Sequence, residues 1–411
     1  MGKLKEWKDP GILLTSIAIA NIGDFIYLIA INIIVFQLTG SAAAVAALWI
    51  ISPLTNIVTK FWTGSFIDYR SKRKVMITTY VIRAVFISLI PFAPNMIVVY
   101  GILIVLSISN SFFHPASMTY VTIMVPIEKR KRFNSIRSFA SSGAFIIGPA
   151  VGGALLFMYS YELTLWINAV LFGVAALLLL VLPEKESIDK NKIPALTISQ
   201  VVSDFTVVKV FLVENRYVSA IYLGFTLIMI FSFAMDTQEV VFTQRVIGLS
   251  EIDYSLLVSI TGIGSVVSAI LLVVFSTKFS LRVMISIGLI MMTIGYVIYA
   301  FSWSFLSIVV GFLILGFFSV FLNAGIMTFY QNNVPAHIMG RVTSIFQLIQ
   351  SLAQVLCILG IGILGDVLSL RLVIVSLALV MLITSIIYAC LVLKSNKKQF
   401  YVESSTSKIL E

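Results

Sequence analysis

The chain has 411 residues, of which 59% are hydrophobic and 11% charged, and its mean hydropathy is +1.05. A soluble domain cannot bury that much apolar surface, so the composition excludes a water-soluble fold and predicts a multi-pass α-helical membrane protein. The net charge of +10 does not indicate nucleic-acid binding, because the basic residues cluster in alternate connections between apolar segments.

Twelve apolar segments follow one another along the chain, and a polar stretch divides them six and six. Each is about twenty residues long or longer, the length that a helix needs to cross a bilayer. The predicted spans are 11–37, 42–66, 74–93, 97–124, 133–158, 161–183, 217–243, 252–276, 281–301, 303–330, 339–364 and 369–393. We therefore expect an all-α membrane fold with a six-helix bundle over 1–183, a cytoplasmic linker over 184–215, and a second six-helix bundle with a short cytoplasmic tail over 216–411.

Lysine and arginine cluster on one side of the predicted membrane. The connections at 38–41, 91–95 and 159–162 contain neither residue. The basic positions on the other side include Lys3, Lys5, Lys8, Arg70, Lys72, Arg73, Lys74, Lys129, Arg130, Lys131, Arg132, Lys185, Lys190, Lys192, Lys209, Lys278, Arg282, Arg341, Lys394, Lys397 and Lys398. By the positive-inside rule, we expect both termini in the cytoplasm and the chain in the cell membrane.

The two halves of the sequence repeat one another at an offset of 209 residues, without a gap. Matched pairs are Met118 and Met327, Thr119 and Thr328, Val125 and Val334, Pro126 and Pro335, Arg132 and Arg341, Ser135 and Ser344, Ile136 and Ile345, Ser142 and Ser351, Ala144 and Ala353, Gly153 and Gly362, and Leu155 and Leu364. A parallel repeat predicts a binding site between the halves, near the middle of the bilayer.

The fifth predicted span carries a proline inside a glycine-rich face. Gly148 and Gly152 are four residues apart, so they lie on one side of a helix and allow a neighbouring backbone to approach closely. Gly143 and Gly153 widen that smooth surface, and Pro149 removes one backbone donor, which kinks the helix. The face serves either as a packing surface only or in conformational gating.

A charged loop follows the second predicted span. It reads Gly64-Ser65-Phe66-Ile67-Asp68-Tyr69-Arg70-Ser71-Lys72-Arg73-Lys74. Gly64 permits close helix packing, and Asp68 can hold helix ends by charge pairing at a cytoplasmic gate, with Arg70, Lys72 and Arg73 beside it. The alternative is a polybasic loop that contacts anionic lipid; it explains the basic residues but not the spacing of Gly64 and Asp68.

These motifs resemble those of the major facilitator superfamily. The loop is similar to that family's cytoplasmic signature, Gly-x-x-x-Asp-(Arg)-x-(Gly)-Arg-(Lys/Arg), although Tyr69 and Ser71 replace the usual arginine and glycine. The glycine face of the fifth span resembles the antiporter signature of drug/proton antiporters. The stretches 113–116, 125–126 and 134–135 resemble the macrolide-efflux branch. The resemblance implies two bundles that rock about a central cavity, with the loop and the glycine face acting in gating.

Ionisable side chains inside the predicted spans are candidate transport residues, because they are costly at membrane depth. Asp24 lies near the middle of the first span, with Asn21 before it and Asn32 after it, and this polar stripe suits proton or cation exchange. The alternative is a buried carboxylate that is paired for structure. Asp236 and Glu239 in the seventh span are the second candidates for proton coupling.

Two other predicted spans carry polar faces, in which residues occur at i, i+3, i+4 and i+7. The faces are Ser107, Asn110, Ser111 and His114 in the fourth span, and Gln347, Gln350, Ser351 and Gln354 in the eleventh; Asn323 is the repeat counterpart of His114. We expect these residues to line a wet substrate cavity. The alternative is hydrogen bonding from helix to helix.

Three further charged residues carry other expectations. Arg245 could close an outer gate with Asp236 and Glu239, Arg83 in the third span is expected to pair for structure, and Lys60 is expected to extend to the cytoplasmic surface. No catalytic constellation, phosphate-binding glycine loop or metal-spaced His/Cys set occurs in the sequence, so we expect neither an enzyme nor a metal or cofactor site.

With the family resemblance, the sequence predicts a secondary active transporter, a monomer that exports amphipathic, macrolide-like small molecules by proton antiport and takes its energy from the proton gradient. Apolar, aromatic and methionine walls with few hydrogen-bonding groups suit bulky apolar compounds. Two alternatives remain open: an exporter of a natural metabolite such as a siderophore or a lipid-like compound, and a non-transporting membrane receptor or scaffold.

Overall fold

The computed structural model describes residues 7–39, 42–186, 197–275 and 278–402. Within these ranges, the side chains at 33, 36–38, 42–47, 49–50, 149–150, 198, 251–252, 255, 358–367 and 395 lie outside the description. The described chain is almost entirely helical and contains no strand, so the predicted all-α class is confirmed.

Thirteen helices of at least 17 residues make up the described part of the chain. They are α1 (Lys8–Thr39), α2 (Ala42–Asp68), α3 (Lys72–Leu89), α4 (Met96–Met124), α5 (Ile127–Met158), α6 (Tyr161–Val181), α7 (Ile198–Glu214), α8 (Arg216–Asp236), α9 (Glu251–Phe275), α10 (Leu281–Ala300), α11 (Phe305–Asn333), α12 (Met339–Val367) and α13 (Leu370–Leu393). Short 3₁₀ turns follow α3 (Ile90–Phe92) and α13 (Ser395–Tyr401), and a turn and a π-helix (Phe242–Val246) follow α8. Over the described residues, ten helices are long and apolar enough to cross a membrane.

Two elements differ from the sequence prediction, for the same physical reason. Helix α5 begins at Ile127, six residues before the predicted span, and includes the basic residues 129–132. The predicted linker contains α7, whose one face buries Asp204, Val208 and Phe211 at i, i+4 and i+7. A hydropathy window detects only the part of a helix that lies in hydrocarbon, so charged helical turns beside the membrane escape it.

Contacts divide the chain into two compact units. Each unit consists mainly of one of the two repeated halves of the sequence. The first unit contains Met1–Pro126, Gly143–Val210 and Val334–Ser351, and the second contains Ile127–Ser142, Phe211–Asn333 and Leu352–Glu411. The opening turns of α5 therefore belong to the second unit, and those of α12 belong to the first. These two segments are repeat counterparts, so each unit holds one segment from the other half of the sequence.

The core of the first unit is built on α1, α3, α4 and α6. Helix α6 packs against both α1 and α3, while α4 packs against α2 and α3. Polar groups tie the α1–α6 contact together: Ser16 Oγ donates to the Ala175 carbonyl at 2.8 Å, and Asn168 Nδ2 donates to the Gly23 carbonyl at 2.5 Å. Tyr80 of α3 stacks on Phe113 of α4, with ring centroids 4.6 Å apart. These contacts fix the helices that carry the candidate site.

The second unit packs α10 against α11 and α13, and α9 against α11. Helices α10 and α11 approach so closely that a Cβ built at Gly295 would lie 2.8 Å from the Gly311 oxygen. A Cβ at Gly264 of α9 would likewise lie 2.7 Å from the Leu313 oxygen. Glycine is therefore required at these crossings, where two helix backbones meet.

Candidate functional site

An ion pair inside the first unit joins the predicted coupling residue to Arg83, which the sequence predicts to pair for structure. Asp24 of α1 pairs with Arg83 of α3. The Arg83 side chain is 7% exposed, lies with its Cζ 4.0 Å from the ring centroid of Phe172, and has Nη1 3.5 Å from Oδ1 of Asn110. The Asp24 side chain is 41% exposed, so water reaches the carboxylate but not most of the guanidinium.

A cavity of about 330 Å³ opens beside this pair. Four of the predicted residues line it, Asp24, Asn32, Ser107 and Asn110, together with Arg83. The rest of its wall is largely apolar or aromatic, from Phe25, Tyr27, Leu28, Ile31, Leu48, Ile51, Ile87, Leu103 and Leu106. The arrangement places a water-accessible carboxylate and a buried cation together in a mostly apolar pocket.

The other predicted residue of α1 does not reach this cavity wall. Asn21 is half-buried and is absent from the cavity lining. Asn32, which does line the cavity, donates a hydrogen bond from its Nδ2 to the Leu28 carbonyl of the preceding turn at 2.6 Å. Its Oδ1 thus remains the polar atom that Asn32 can offer to the cavity.

Lys60 is buried, which corrects the expectation that it extends to the surface. Its side chain belongs to a residue only 3% exposed, and Nζ donates to the Ser111 carbonyl of α4. Pro115 explains this contact, because a proline lacks the N–H that would otherwise bond the carbonyl four residues earlier, which is that of Ser111. Lys60 supplies the missing donor, and Ser111 Oγ turns back to the Ile108 carbonyl at 2.7 Å.

The polar face of α4 divides between the two roles that the sequence left open. Ser107 and Asn110 line the cavity, His114 bonds to α12, and the Ser111 hydroxyl bonds within α4 to the Ile108 carbonyl. The side-chain nitrogen of Gln347, in the opening turns of α12, lies 2.8 Å from Nδ1 of His114. Gln350 and Gln354 are half-buried farther along α12. Asn323 is exposed and lines a different cavity, in the second unit.

The second pair of candidate carboxylates lies at the end of α8. Asp236 is exposed and accepts a hydrogen bond from the Tyr296 hydroxyl at 2.7 Å, and that hydroxyl lies 2.5 Å from Ser232 Oγ. Glu239 is half-buried in the turn that follows. Among the described residues, no ion pair joins Arg245 to either carboxylate. Asp236 therefore belongs to a hydrogen-bonded chain with Tyr296 and Ser232.

Asp68 closes a polar cluster at the end of α2, within the first unit. Its side chain is 1% exposed and accepts three hydrogen bonds from the start of α12: from Gly340 N at 2.7 Å, Arg341 N at 3.1 Å and Arg341 Nε at 2.9 Å. Arg341 also lies 3.7 Å from Asp204 of α7. Burial raises the pKa of Asp204, although Gln200 and Arg341 oppose that rise. A carboxylate at a helix N-terminus satisfies backbone donors and matches the helix dipole.

Three basic residues beside Asp68 contact neighbouring parts of the chain. Lys72 donates its backbone N–H to Glu186 Oε2 at 2.8 Å, and its Nζ forms an ion pair with Glu186 Oε1 at 2.9 Å. Arg73 donates to the last carbonyls of α6, Leu179 and Leu180, at 2.9 and 2.5 Å. Arg70 lies over the Phe66 ring at 4.0 Å and lines a cavity of about 670 Å³. The other charged residues that line this cavity are Lys74, Glu184 and Glu186. A hydrogen bond with Ser71 lowers the pKa of Glu184.

The glycines of the two motifs differ in what surrounds them. A Cβ at Gly64 would lie 2.7 Å from Arg341 Cα, so α2 meets the start of α12 backbone to backbone. Gly148 faces Phe25 of α1, and a Cβ at Gly152 would lie 3.2 Å from Ile26 Cα. Gly143 and Gly153 have open space instead. The side chain of Pro149 lies outside what the structure describes.

The sequence-based predictions do not include Arg137, and they expect Arg83 to pair for structure and Lys60 to extend to the surface. All three are charged residues within apolar segments. The same criterion identified Asp24 as a candidate transport residue, and it applies equally to these three. Arg137 of α5 lines the cavity in the second unit that also contains Asn323. What the sequence could not supply is which helices face one another.

Known proteins resemble this chain in sequence and in structure. The model of the Major Facilitator Superfamily matches residues 13–356 and 240–407. An uncharacterized MFS-type transporter, YfiS of Bacillus subtilis, is 27% identical over 183 residues, which is 44% of each chain. The multidrug efflux pump Tap of Mycobacterium tuberculosis (strain H37Rv) is 26% identical over 180 residues, 40% of this chain and 42% of Tap. The chain therefore matches less than half the length of these two relatives.

Solved structures share the fold at low sequence identity. The human organic anion transporter MFSD10 (TETRAN) superposes with a TM-score of 0.78 at 12% identity, over 93% of this chain and 99% of that one. A bacterial homologue of the iron transporter ferroportin, in an outward-facing state, gives 0.72 at 15% identity, over 94% and 99%. The match to the family model shows that this chain belongs to the major facilitator superfamily, and the shared fold and the ten apolar helices of the described chain make it a multi-pass membrane protein.

Proposed function

We propose that the protein exports amphipathic small molecules, of the drug or macrolide-like class, from the cell by proton antiport with alternating access. Family membership and the similarity to the multidrug efflux pump Tap support export of this kind. The single observation that carries the coupling is the Asp24–Arg83 pair on the wall of the 330 Å³ cavity. No cofactor other than the proton gradient enters this proposal, and the monomer is the working unit.

Asp24 is the proton carrier in this mechanism, and its protonation decides whether Arg83 has a counter-charge. When Asp24 is ionised, its charge balances the buried guanidinium. When Asp24 takes up a proton through the cavity, Arg83 loses its partner and keeps only Asn110 and the face of Phe172. A buried cation without a counter-charge is costly, so protonation favours a rearrangement that gives Arg83 a new partner or water.

The proton and the exported molecule compete in the proposed cycle. An amphipathic compound that enters the apolar pocket favours loss of the proton from Asp24, since the carboxylate and Arg83 then neutralise each other as water leaves. Release of the compound on the far side lets water return and the carboxyl take up a proton. The coupling therefore needs no direct contact between the compound and Asp24.

The Asp68 cluster is the proposed gate on the cytoplasmic side, where the positive-inside pattern places the loop. Opening that side separates α2 from the start of α12, which breaks the three hydrogen bonds to Asp68 and exposes the Gly64 contact. The close approach of Gly148 and Gly152 to α1 gives α5 a smooth surface on which to move against the helix that carries Asp24.

Flux into inside-out vesicles tests the proposal. Ethidium and a labelled macrolide are suitable probes, and a pH gradient, acid inside, supplies the driving force. We expect Asp24→Asn to abolish gradient-driven accumulation while probe exchange without a gradient continues, because the pocket remains and only the proton site is lost. Glu162→Gln, at the start of α6 and outside the cavity lining, is the matched control and should leave accumulation unchanged.

Two results would contradict the proposal. If gradient-driven accumulation persists in Asp24→Asn, Asp24 does not couple the proton to transport. The same assay on Asp236→Asn and Glu239→Gln then tests the second candidates. Native protein that moves neither probe under any gradient removes drug export itself and favours the metabolite exporter or the non-transporting scaffold.

A further inference from the structure

The cavity of about 670 Å³ beside Arg70 has a charged end and an apolar end. It lies within the first unit, where the end of α2, the first half of α3 and the middle of α4 line it together with Glu184 and Glu186. Lys74 belongs to the charged end, and Ile82 lies farther along α3, about 12 Å away by the rise of an α-helix. The cavity therefore runs from the loop into the membrane-spanning part of these helices.

The apolar end is exposed along the side of α4. Ile108 lines the cavity and is 38% exposed, and Ile104, one turn away, is 46% exposed. The two buried hydroxyls of this wall are already bonded, since Ser109 Oγ donates to the Thr79 carbonyl at 3.2 Å and Thr79 Oγ1 donates to the Met76 carbonyl at 2.7 Å. This end of the cavity therefore suits a hydrocarbon chain better than a polar ligand.

Basic residues outnumber carboxylates at the charged end. The ion pairs there are Lys72–Glu186 at 2.9 Å, Arg73–Glu184 at 3.9 Å and Lys74–Glu184 at 3.3 Å. Asp68, the carboxylate of the preceding helix end, is 1% exposed and is paired with Arg341, so it does not offset these cations. With Arg70 included, four cations face two carboxylates, and the excess positive charge attracts an anion.

Arg70 is the cation of this end that forms no ion pair within the described chain. Its Nη1 donates to the Phe66 carbonyl at 3.3 Å, and its Cζ lies 4.0 Å from the centroid of the Phe66 ring. These contacts hold the guanidinium at the edge of the cavity and leave its other N–H groups to donate elsewhere. A phosphate is a suitable acceptor, because the planar guanidinium donates two parallel hydrogen bonds to it.

We propose that this cavity binds one anionic phospholipid, with its phosphate between Arg70 and Lys74 and one acyl chain along the apolar wall. The lipid comes from the leaflet on the side of the loop, which the positive-inside pattern predicts to be cytoplasmic. The two ends of the cavity match the two parts of such a lipid. A soluble phosphate compound leaves the apolar end in contact with water, and an uncharged lipid leaves the excess positive charge without compensation.

This inference goes beyond the proposed function, because the lipid is a bound partner and not the exported molecule. It also differs from a general attraction of the basic loop to a membrane surface. Surface attraction depends on charge alone, whereas a bound lipid depends on the charged end and on the shape of the apolar wall together.

Lipid binding to the full-length protein in detergent tests the site directly, by native mass spectrometry and by thermal stabilisation. The probes are phosphatidylglycerol, the zwitterionic phosphatidylethanolamine, diacylglycerol, which has no phosphate, and glycerol 3-phosphate, which has no acyl chains. We expect phosphatidylglycerol to bind about 10-fold or more tightly than diacylglycerol and glycerol 3-phosphate. It should bind about 5-fold more tightly than phosphatidylethanolamine, whose ammonium group offsets the phosphate.

Charge variants test the phosphate end. Arg70→Gln should weaken phosphatidylglycerol by about 10-fold and bring its affinity near that of phosphatidylethanolamine. Lys209→Gln removes an exposed positive charge of the same unit, outside the cavity lining, and should bind as the native protein does. If Arg70→Gln does not fold, Lys74→Gln, whose side chain is 70% exposed, tests the same end and should weaken phosphatidylglycerol by about 5-fold.

A matched pair of bulky variants tests the apolar end. Ile108→Trp places a larger side chain in the path of the acyl chain and should weaken phosphatidylglycerol by about 5-fold or more. Ile104→Trp adds the same bulk one turn away, at an exposed position outside the cavity lining, and should leave the affinity unchanged.

The proposal is overturned if phosphatidylglycerol binds no more tightly than diacylglycerol, or if Arg70→Gln and Lys74→Gln both keep the native affinity. It is also overturned if Ile108→Trp binds as Ile104→Trp does. Glycerol 3-phosphate that binds as tightly as phosphatidylglycerol would contradict it as well, and would indicate a soluble phosphate compound as the occupant. Each readout is binding, so failure of the lipid site leaves the export proposal to its own flux assay.

Discussion

Replacing Asp68 by asparagine removes one negative charge from the cluster that joins α2 to the start of α12. The carboxylate accepts three hydrogen bonds from Gly340 and Arg341, and asparagine keeps one oxygen, so at most part of that set survives. The Nδ2 group that replaces the other oxygen faces donors. Arg341 then keeps the His337 carbonyl, to which its Nη2 donates at 3.1 Å, and Asp204 at 3.7 Å.

The expected cost follows from these contacts. Removing one partner of a buried pair costs about 3–5 kcal/mol, and the retained oxygen and Asp204 return some of it, so we expect Asp68→Asn to destabilise the protein by about 2–4 kcal/mol. Asp204→Asn is the matched control, since its contact with Arg341 exceeds hydrogen-bond distance; we expect it to cost about 1 kcal/mol or less.

Equilibrium unfolding of the purified protein by SDS in mixed micelles measures both variants. The double variant Asp68→Asn with Arg341→Gln adds a coupling energy, which we expect to exceed about 1 kcal/mol because the two side chains bond directly. Equal costs for Asp68→Asn and Asp204→Asn, or a coupling energy near zero, would show that the cluster does not hold α2 to α12 as described.

Three other predictions follow from the same contacts. Gly64→Ala should destabilise the protein because its Cβ would lie 2.7 Å from a backbone atom of α12, whereas Gly143→Ala has open space and should gain about 0.5–1 kcal/mol of helix stability; SDS unfolding of the pair checks this, and equal effects would contradict it. Lys60→Met should leave the Ser111 carbonyl without its donor and cost about 1–3 kcal/mol; the same unfolding assay should show no such loss for the exposed Lys209→Met. Burial raises the folded-state pKa of Asp204, so its stabilising contribution is greatest when it is protonated and declines as pH rises through that raised pKa. The stability of Asp204→Asn relative to the native protein should therefore improve from about pH 4 to about pH 7, and a flat or opposite trend would be inconsistent with that burial.

The sequence predicted those features that depend on periodicity within one helix. The helical spacing predicts that Ser107 and Asn110 share one face of α4, and both line the cavity beside Asp24, the carboxylate of an apolar span. Both inferences need only the helical repeat and the cost of charge in hydrocarbon.

The features that the sequence did not predict depend on contacts between distant segments. Arg83 and Asp24 are 59 residues apart, and only the packing of α1, α3 and α6 brings them together. Lys60 is buried because Pro115 frees the carbonyl of Ser111, which no inspection of the second span alone would show. The helix α7 escaped the hydropathy window because its charged residues lie among its apolar ones.

Proton release on substrate binding tests the central claim, that Asp24 carries the coupled proton, most directly. Purified protein in a weakly buffered solution is mixed with a macrolide near neutral pH while a pH indicator is followed. The account predicts that the native protein and Glu162→Gln release a proton as the compound binds, and that Asp24→Asn binds the compound and releases none. Equal proton release from Asp24→Asn and the native protein would contradict it.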